Sequence, residues 1–325
     1  MIKLLVPKMP RHGALVPYLK RIDTNLWYSN FGELEQELRE QLEYKYNAHV
    51  VTVSSCTVGL ELMYRHYREL GNCSIKLPAL TFPATVLAAK REGLWVEFED
   101  VDPHEWTHPA VAGFGLPALG EWVDAAAAFG EQCVLRDQTA VFSLHATKTV
   151  GAGEGGFIVT HDPSLADKLR RQTNFGFVNG ISTGWGTNAK LSEYAAAVAL
   201  ASLDAYDREA WLRLHDWYTK HLPATVTQQK RPRGAYPILA VKLPCAAESV
   251  RVEMWHRGIE TRRWYFPTMN LHPCVFGQGA SPLLPVTNEL SQRLLGLPYH
   301  LFLSEDDVIQ VCATLKEVIE MEINR

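Results

Sequence analysis

A lysine attacks an aldehyde only when its amine is unprotonated, which calls for a sheltered position at the end of a rigid element. Lys148 has such a setting. It ends Phe142-Ser143-Leu144-His145-Ala146-Thr147-Lys148, and the glycine-rich Gly151-Ala152-Gly153-Glu154-Gly155-Gly156 follows it. Thr139 to Leu144 and Phe157 to Thr160 are apolar and β-prone, so Lys148 is predicted in a loop between two strands. Upstream, Glu121-Trp122-Val123-Asp124 ends an apolar run and leads into four alanines, Ala125 to Ala128. A carboxylate enclosed there needs a cationic or hydrogen-bonding partner.

A protonated pyridine nitrogen is one such partner. In pyridoxal phosphate chemistry a carboxylate holds the ring nitrogen protonated, and the ring then takes up the electrons released with the substrate's α-proton. Two further stretches suit the rest of that cofactor. His49-Val50-Val51-Thr52-Val53-Ser54-Ser55-Cys56-Thr57 reads as a strand turning through small residues into a helix with Leu60, Met63, Tyr64 and Tyr67 on one face. The start of that helix offers free N–H groups and a positive dipole end to an anion such as a phosphate. Leu77-Pro78-Ala79-Leu80-Thr81-Phe82-Pro83-Ala84-Thr85 places an aromatic ring in a proline-bounded link, where it can stack on a flat heteroaromatic ring. Taken singly, each feature also fits a plainer role: a solvated loop lysine, an N-capping aspartate, a serine-capped helix and a core phenylalanine.

In this order the motifs resemble the DegT/DnrJ/EryC1/StrS sugar aminotransferases, a branch of the fold type I pyridoxal phosphate enzymes. Trp27-Tyr28-Ser29-Asn30-Phe31-Gly32 with Leu34-Glu35 is similar to the family's opening block, and Ser55-Cys56-Thr57 stands where Ser-Gly-Thr is usual. Phe98-Glu99-Asp100-Val101-Asp102, the Asp124 and Lys148 motifs, Gly186-Thr187-Asn188-Ala189-Lys190-Leu191-Ser192-Glu193, Gly258-Ile259-Glu260-Thr261-Arg262 and Leu297-Pro298-Tyr299-His300 continue the match along nearly the whole chain. The resemblance implies a Schiff base at Lys148, which also shuttles the proton, and an Asp124 pair with the pyridinium nitrogen. It implies stacking by Phe82, a phosphate held by Ser55, Cys56, Thr57 and Ser143, and Asn188 reaching that phosphate from a neighbouring subunit of a homodimer. The implied reaction moves an amino group from L-glutamate, through pyridoxamine phosphate, to a nucleotide-linked keto-deoxysugar. The His145-Ala146-Thr147-Lys148 form of the motif, together with the Trp27-Tyr28-Ser29-Asn30-Phe31-Gly32 start, most resembles members that aminate C3 of dTDP-linked deoxyhexoses. Two departures stand out. Ala127 takes the place of the usual Gln or His three residues after the aspartate, and only about twenty residues separate Asp102 from Asp124, short for crossover helices between parallel strands. Trp185, Arg263, Trp264 and Tyr265 are candidates for the sugar side or for packing.

The elements expected to position these residues follow from periodicity. An N-terminal arm (Met1 to Ser29) precedes a helix from about Glu33 to Lys45, then strands and helices alternate to about Thr160 as in a mostly parallel α/β sheet, with a strand predicted at Val111 to Leu116. Helical pattern runs from Leu191 to His221. A small α+β domain follows, with a strand at Tyr236 to Leu243 and helices at Glu248 to Arg257 and Glu305 to Glu322. The expected division is 1–222, a large cofactor domain of fold type I form, and 223–325.

Composition excludes other classes. The chain has 325 residues, 47% of them hydrophobic, with 32 basic against 36 acidic side chains and no basic stripe, which speaks against nucleic acid as a partner. No run has the apolar length of a membrane span. Six cysteines without paired spacing argue for reduced thiols, for the cytoplasm and against a zinc site. A nicotinamide reductase would need a glycine fingerprint that this chain lacks. Within the family, a dehydratase carries His where Lys148 stands, and a non-catalytic or regulatory cofactor-binding relative is the other alternative.

Overall fold

The computed structural model describes residues 1–106, 122–130, 138–229, 234–275 and 283–324. The segment predicted as a strand at Val111 to Leu116, and most of the short stretch before Asp124, lie outside them. Two helices come first, α1 (His12–Asn25) and α2 (Glu33–Tyr46), followed by β1 (His49–Val53), α3 (Cys56–Glu69), β2 (Ser74–Pro78), α4 (Pro83–Arg91) and β3 (Trp95–Glu99). Then come β4 (Trp122–Asp124), β5 (Thr139–Ser143), β6 (Gly156–Thr160), α5 (Pro163–Thr173), the two-residue strands β7 (Phe177–Val178) and β8 (Ile181–Ser182), and α6 (Glu193–Asp204).

The order β1-β6-β5-β4 makes one sheet, and β2 pairs with β3 in parallel. β4 and β5 are parallel, while β6 runs antiparallel to both β5 and β1, so β1, β4 and β5 share a direction and β6 alone opposes them. That exception has a local cause. β5 and β6 are joined by the Lys148 loop without a crossover helix, and such a direct return makes an antiparallel pair. Alternate strand residues face opposite cores. Val50, Ala140, Phe142, Phe157 and Val159 pack with Ile22 of α1, Leu34, Leu38 and Leu42 of α2, and Leu200 of α6. Val51, Val53, Val141 and Ile158 pack on the other side with Leu60 and Tyr64 of α3, Val86 of α4 and Leu169 of α5. A sheet covered on both faces explains strands that are apolar throughout instead of alternating. This is the fold type I α/β architecture expected, with a mostly parallel sheet.

The chain continues through α7 (Arg208–His221), β9 (Thr227–Gln228), β10 (Leu239–Lys242), α8 (Ala247–His256), α9 (Pro285–Arg293), β11 (Leu294–Leu297) and α10 (Glu305–Ile323). β10 is the centre of an antiparallel β11-β10-β9 sheet. Its core joins Val241 and Leu295 to Val250 and Met254 of α8 and to Val311, Leu315 and Val318 of α10. Leu214 and Tyr218 of α7 belong to the same cluster, so packing of this unit extends across residue 222. The N-terminus returns to it as well: Ile2 bridges Ile259, and the Leu4 N–H reaches Glu260 Oε2 at 3.1 Å.

Candidate active site

Asp124 ends β4 and is buried. Its Oδ2 accepts the Thr85 hydroxyl at 2.7 Å and its Oδ1 the Ala126 N–H at 3.1 Å, and Thr85 lies 3.1 Å from the Thr81 hydroxyl. Burial raises the Asp124 carboxyl above its ordinary value, while these two hydrogen bonds and the positive charge of Lys148 pull it back down. A carboxylate so enclosed can accept one more strong donor, a cationic ring N–H among them.

Lys148 is half-buried, and its backbone N–H closes a turn onto the His145 carbonyl at 2.9 Å. The loop is sewn to itself: Leu144 N–H to the Gly155 carbonyl at 3.0 Å, Ala146 N–H to the Gly153 carbonyl at 2.9 Å, and Ala152 N–H to the Leu144 carbonyl at 2.6 Å. Gly153 and Gly155 take φ of 85° and 153°, which side chains rarely adopt, and this accounts for the glycines at those places. Burial lowers the Lys148 ammonium below its ordinary range, with Cys56 and Asp124 opposing that shift. The result is an amine that loses its proton more readily than a solvated lysine, the requirement for nucleophilic work.

Ser55 caps α3 by accepting the Val58 N–H at 3.2 Å, which leaves the N–H groups of the first turn at Cys56 and Thr57 pointing to the sheet end. The Cys56 thiol is buried and lies 3.9 Å from the Val141 carbonyl. Burial, helped by Asp124, pushes it well above its ordinary value, so it stays neutral and sets no charge against an anion. Gly156 opens β6 so close to this helix that a Cβ there would stand 2.7 Å from the Cys56 N and from the Phe142 carbonyl oxygen. Ser143, at the end of β5, is buried and its Oγ accepts the His145 N–H at 3.1 Å. Phe82 precedes α4 and is 58% exposed, in a loop otherwise buried at Leu80 and Thr81.

The structure therefore brings Ser55, Cys56, Thr57, Asp124, Ser143 and Lys148 to one end of the sheet, with Phe82 just before the helix that carries Thr85. Asn188 is separate. It is exposed, and its Oδ1 accepts the Lys190 ammonium at 2.7 Å, while the neighbouring Ala189 carbonyl takes the Ser54 N–H at 2.7 Å. Sequence reasoning quoted Thr85 without giving it a role; its position three residues after Phe82, in the first turn of α4, was the available signal. Of the four candidates for the sugar side, Trp185 lies 4.9 Å under the Arg65 guanidinium. Arg263 is engaged with the Ser291 carbonyl, Gln292, Glu248 and the Phe266 ring. Trp264 and Tyr265 stand edge to face, their centroids 5.5 Å apart. Trp264 and Leu80 share an apolar cluster against which Ala127 and Tyr265 also pack.

This set suits a planar, phosphorylated aldehyde: an amine, a buried acid, an exposed ring and a helix start converge, and Gly156 keeps the floor free of a side chain. The model of the DegT/DnrJ/EryC1/StrS aminotransferase family matches residues 13–111 and 119–316. The chain belongs to this family. It is a pyridoxal phosphate-dependent aminotransferase. It is 28% identical to Protein Mb3436c of Mycobacterium bovis, covering 97% of this chain and 90% of that protein. It is 25% identical to a dTDP-4-amino-4,6-dideoxy-D-glucose transaminase of Shigella dysenteriae, covering 96% and 97%. Among solved structures it is similar to DesI, crystallised in the presence of its TDP-sugar product, at 29% identity and a TM-score of 0.87 over 97% of this chain and 93% of that one.

Proposed function

We propose that this aminotransferase moves the amino group of L-glutamate to the keto carbon of a dTDP-linked deoxyhexose. The observation that carries the reading is that Lys148, whose ammonium burial holds below its ordinary range, and a buried Asp124 meet at one sheet end. Bound pyridoxal phosphate supplies an aldehyde that condenses with amines and a ring that takes up the electron pair left when an α-proton departs. Lys148 Nζ is the amine that tethers it and, once displaced by the donor, the base that takes the proton from the donor's α-carbon. The Asp124 carboxylate holds a proton on the ring nitrogen. Phe82 covers one ring face, and the N–H groups at Cys56 and Thr57, with the Ser55 and Ser143 hydroxyls, hold the phosphate.

Asn188 completes that phosphate site from the second copy of a homodimer. The exposed apolar residues Leu26, Trp27, Tyr28, Phe175, Phe177 and Ile181 support such a dimer, because a surface of this kind is costly to leave in water. The division at residue 222 belongs to the same proposal: the large unit holds the cofactor, and the C-terminal unit faces it with Trp264 and Tyr265.

The form of the lysine motif favours amination at C3. The name of the Shigella relative places the amine at C4, and that is the second reading. Both predict 2-oxoglutarate from L-glutamate beyond one equivalent per bound cofactor only when a dTDP-keto-deoxyhexose is supplied. Incubation with the 3-keto and the 4-keto isomers, followed by mass and proton spectra of the product, separates them. If neither isomer drives 2-oxoglutarate release beyond one equivalent per bound cofactor, the sugar assignment is ruled out.

A further inference from the structure

Two buried hydroxyls stand behind Asp124. Thr85 is fully buried in the first turn of α4, and Thr81, also buried, lies in the loop before it. The Thr85 hydroxyl donates to Asp124 Oδ2 at 2.7 Å, which commits its one proton, so the Thr81 hydroxyl 3.1 Å away is the donor to Thr85. The chain from Thr81 through Thr85 thus points each proton at the carboxylate. Neither hydroxyl is spent on the end of α4, which has no side-chain cap. The same helix buries Val86, Ala88 and Ala89 completely, so valine at position 85 would meet the demands of packing, and a hydroxyl buried there costs free energy unless its bonds are made.

These hydroxyls support the charge of Asp124 whatever happens to Lys148. The Lys148 ammonium faces the carboxyl and favours its ionised form, but that amine changes charge as it takes and gives protons. Cys56 and Tyr64 of α3 and Tyr265 of the C-terminal unit face Asp124 as well, and burial raises all three above their ordinary values, so they stay neutral near pH 7 and bring no positive charge. A threonine hydroxyl neither gains nor loses a proton in this range. Together with the Ala126 N–H on Oδ1 at 3.1 Å, Thr85 fixes both carboxylate oxygens and leaves each a lone pair to spare.

We propose that Thr85, with Thr81 behind it, is a positioning residue that holds Asp124 in its charged form for the ring nitrogen of pyridoxal phosphate. This inference rests on the proposed pairing of Asp124 with that nitrogen. Carboxylate and nitrogen have one proton to share. A hydroxyl donating to the carboxylate weakens it as a base, which leaves the proton on the ring, where it favours the uptake of electrons. With that donor removed the proton moves toward Asp124, and a neutral acid faces a neutral ring.

The test titrates the full-length apoprotein with pyridoxal phosphate and with its analogue carrying CH in place of the ring nitrogen, for wild type, Thr85→Val, Thr85→Ser and Thr81→Val. The analogue offers Asp124 no cation, so the carboxyl keeps its proton beside it, and a general loosening of the site weakens both ligands alike. The expected result is a preference for pyridoxal phosphate over the analogue that falls about 10- to 100-fold in Thr85→Val, the worth of a hydrogen bond to a charged group, returns in Thr85→Ser, and falls less in Thr81→Val. Equal weakening of both ligands in Thr85→Val, or an unchanged preference, overturns the proposal and leaves Thr85 a packing role. If Thr85→Val does not fold, Thr81→Val decides by the same comparison. A wild type that binds the two ligands equally well overturns the Asp124 pairing and this inference with it, a result that wild type alone shows.

Discussion

Asp124 is held in two conflicting ways: enclosure favours its neutral form, while Thr85, Ala126 and Lys148 favour the charged one, and enclosure is the larger effect. A carboxyl whose folded-state pKa is raised contributes stability that is full below its unfolded pKa and is lost as pH rises through the folded value. Above that window the apoprotein is destabilised by ionising Asp124. Asp124→Asn removes the ionisation and keeps the bonds, since an amide oxygen still accepts the Ala126 N–H and the amide nitrogen donates to Thr85, whose own proton turns to Thr81. Chemical denaturation of apo Asp124→Asn is thus expected to show stability equal to or above wild type at neutral pH, with the difference vanishing in acid. Its affinity for pyridoxal phosphate is expected to fall about 10- to 100-fold with loss of the charge-assisted bond. An apoprotein weakened most at low pH contradicts this account. Lys148 and Asp124 were legible in the sequence because each ends an apolar strand in a distinctive motif. Thr85 was not, because its partner lies 39 residues along the chain, a relation that spacing does not encode.

At the scale of elements, the site depends on how closely β6 approaches the start of α3. Gly156 permits that contact, and a methyl group there meets backbone on both sides at 2.7 Å, where no side chain can swing away. Gly156→Ala is expected to cost about 2 kcal/mol or more in urea unfolding, in the range of overpacked cores, and to weaken cofactor binding by shifting the first turn of α3. A variant with unchanged stability and affinity would show that the contact relaxes freely. Periodicity located most elements well, as with the helix expected from Glu33 to Lys45, which runs Glu33–Tyr46, and the closing helix, which runs Glu305–Ile323. It missed α1 in what was expected to be an arm, because Pro17 interrupts the pattern, Ile22 is the one buried residue described in that helix, and no acid sits in its first turn. The strand expected from Tyr236 is paired only over Leu239–Lys242, since β11 offers just four partners.

For the whole molecule, the sheet with helices on both faces provides what Lys148 needs: strands that end together, so that loops remote in sequence meet. The C-terminal unit then brings Trp264 and Tyr265 over the same end, with α7 packed into its core. The overall architecture was legible because each motif kept its order along the chain. How α7 divides its contacts was not, because a helix apolar on one face does not specify which neighbour that face meets. No helix among the described residues is long and apolar enough to cross a membrane. The central claim is that Lys148 tethers pyridoxal phosphate and surrenders it to L-glutamate. The measurement that tests it most directly is the visible absorption spectrum of the purified protein with pyridoxal phosphate, before and after L-glutamate, for wild type and Lys148→Ala. The account predicts a visible band in wild type that bleaches with glutamate, and its loss in a Lys148→Ala protein that remains folded by circular dichroism. A band that persists in Lys148→Ala, or that glutamate leaves unchanged in wild type, contradicts it.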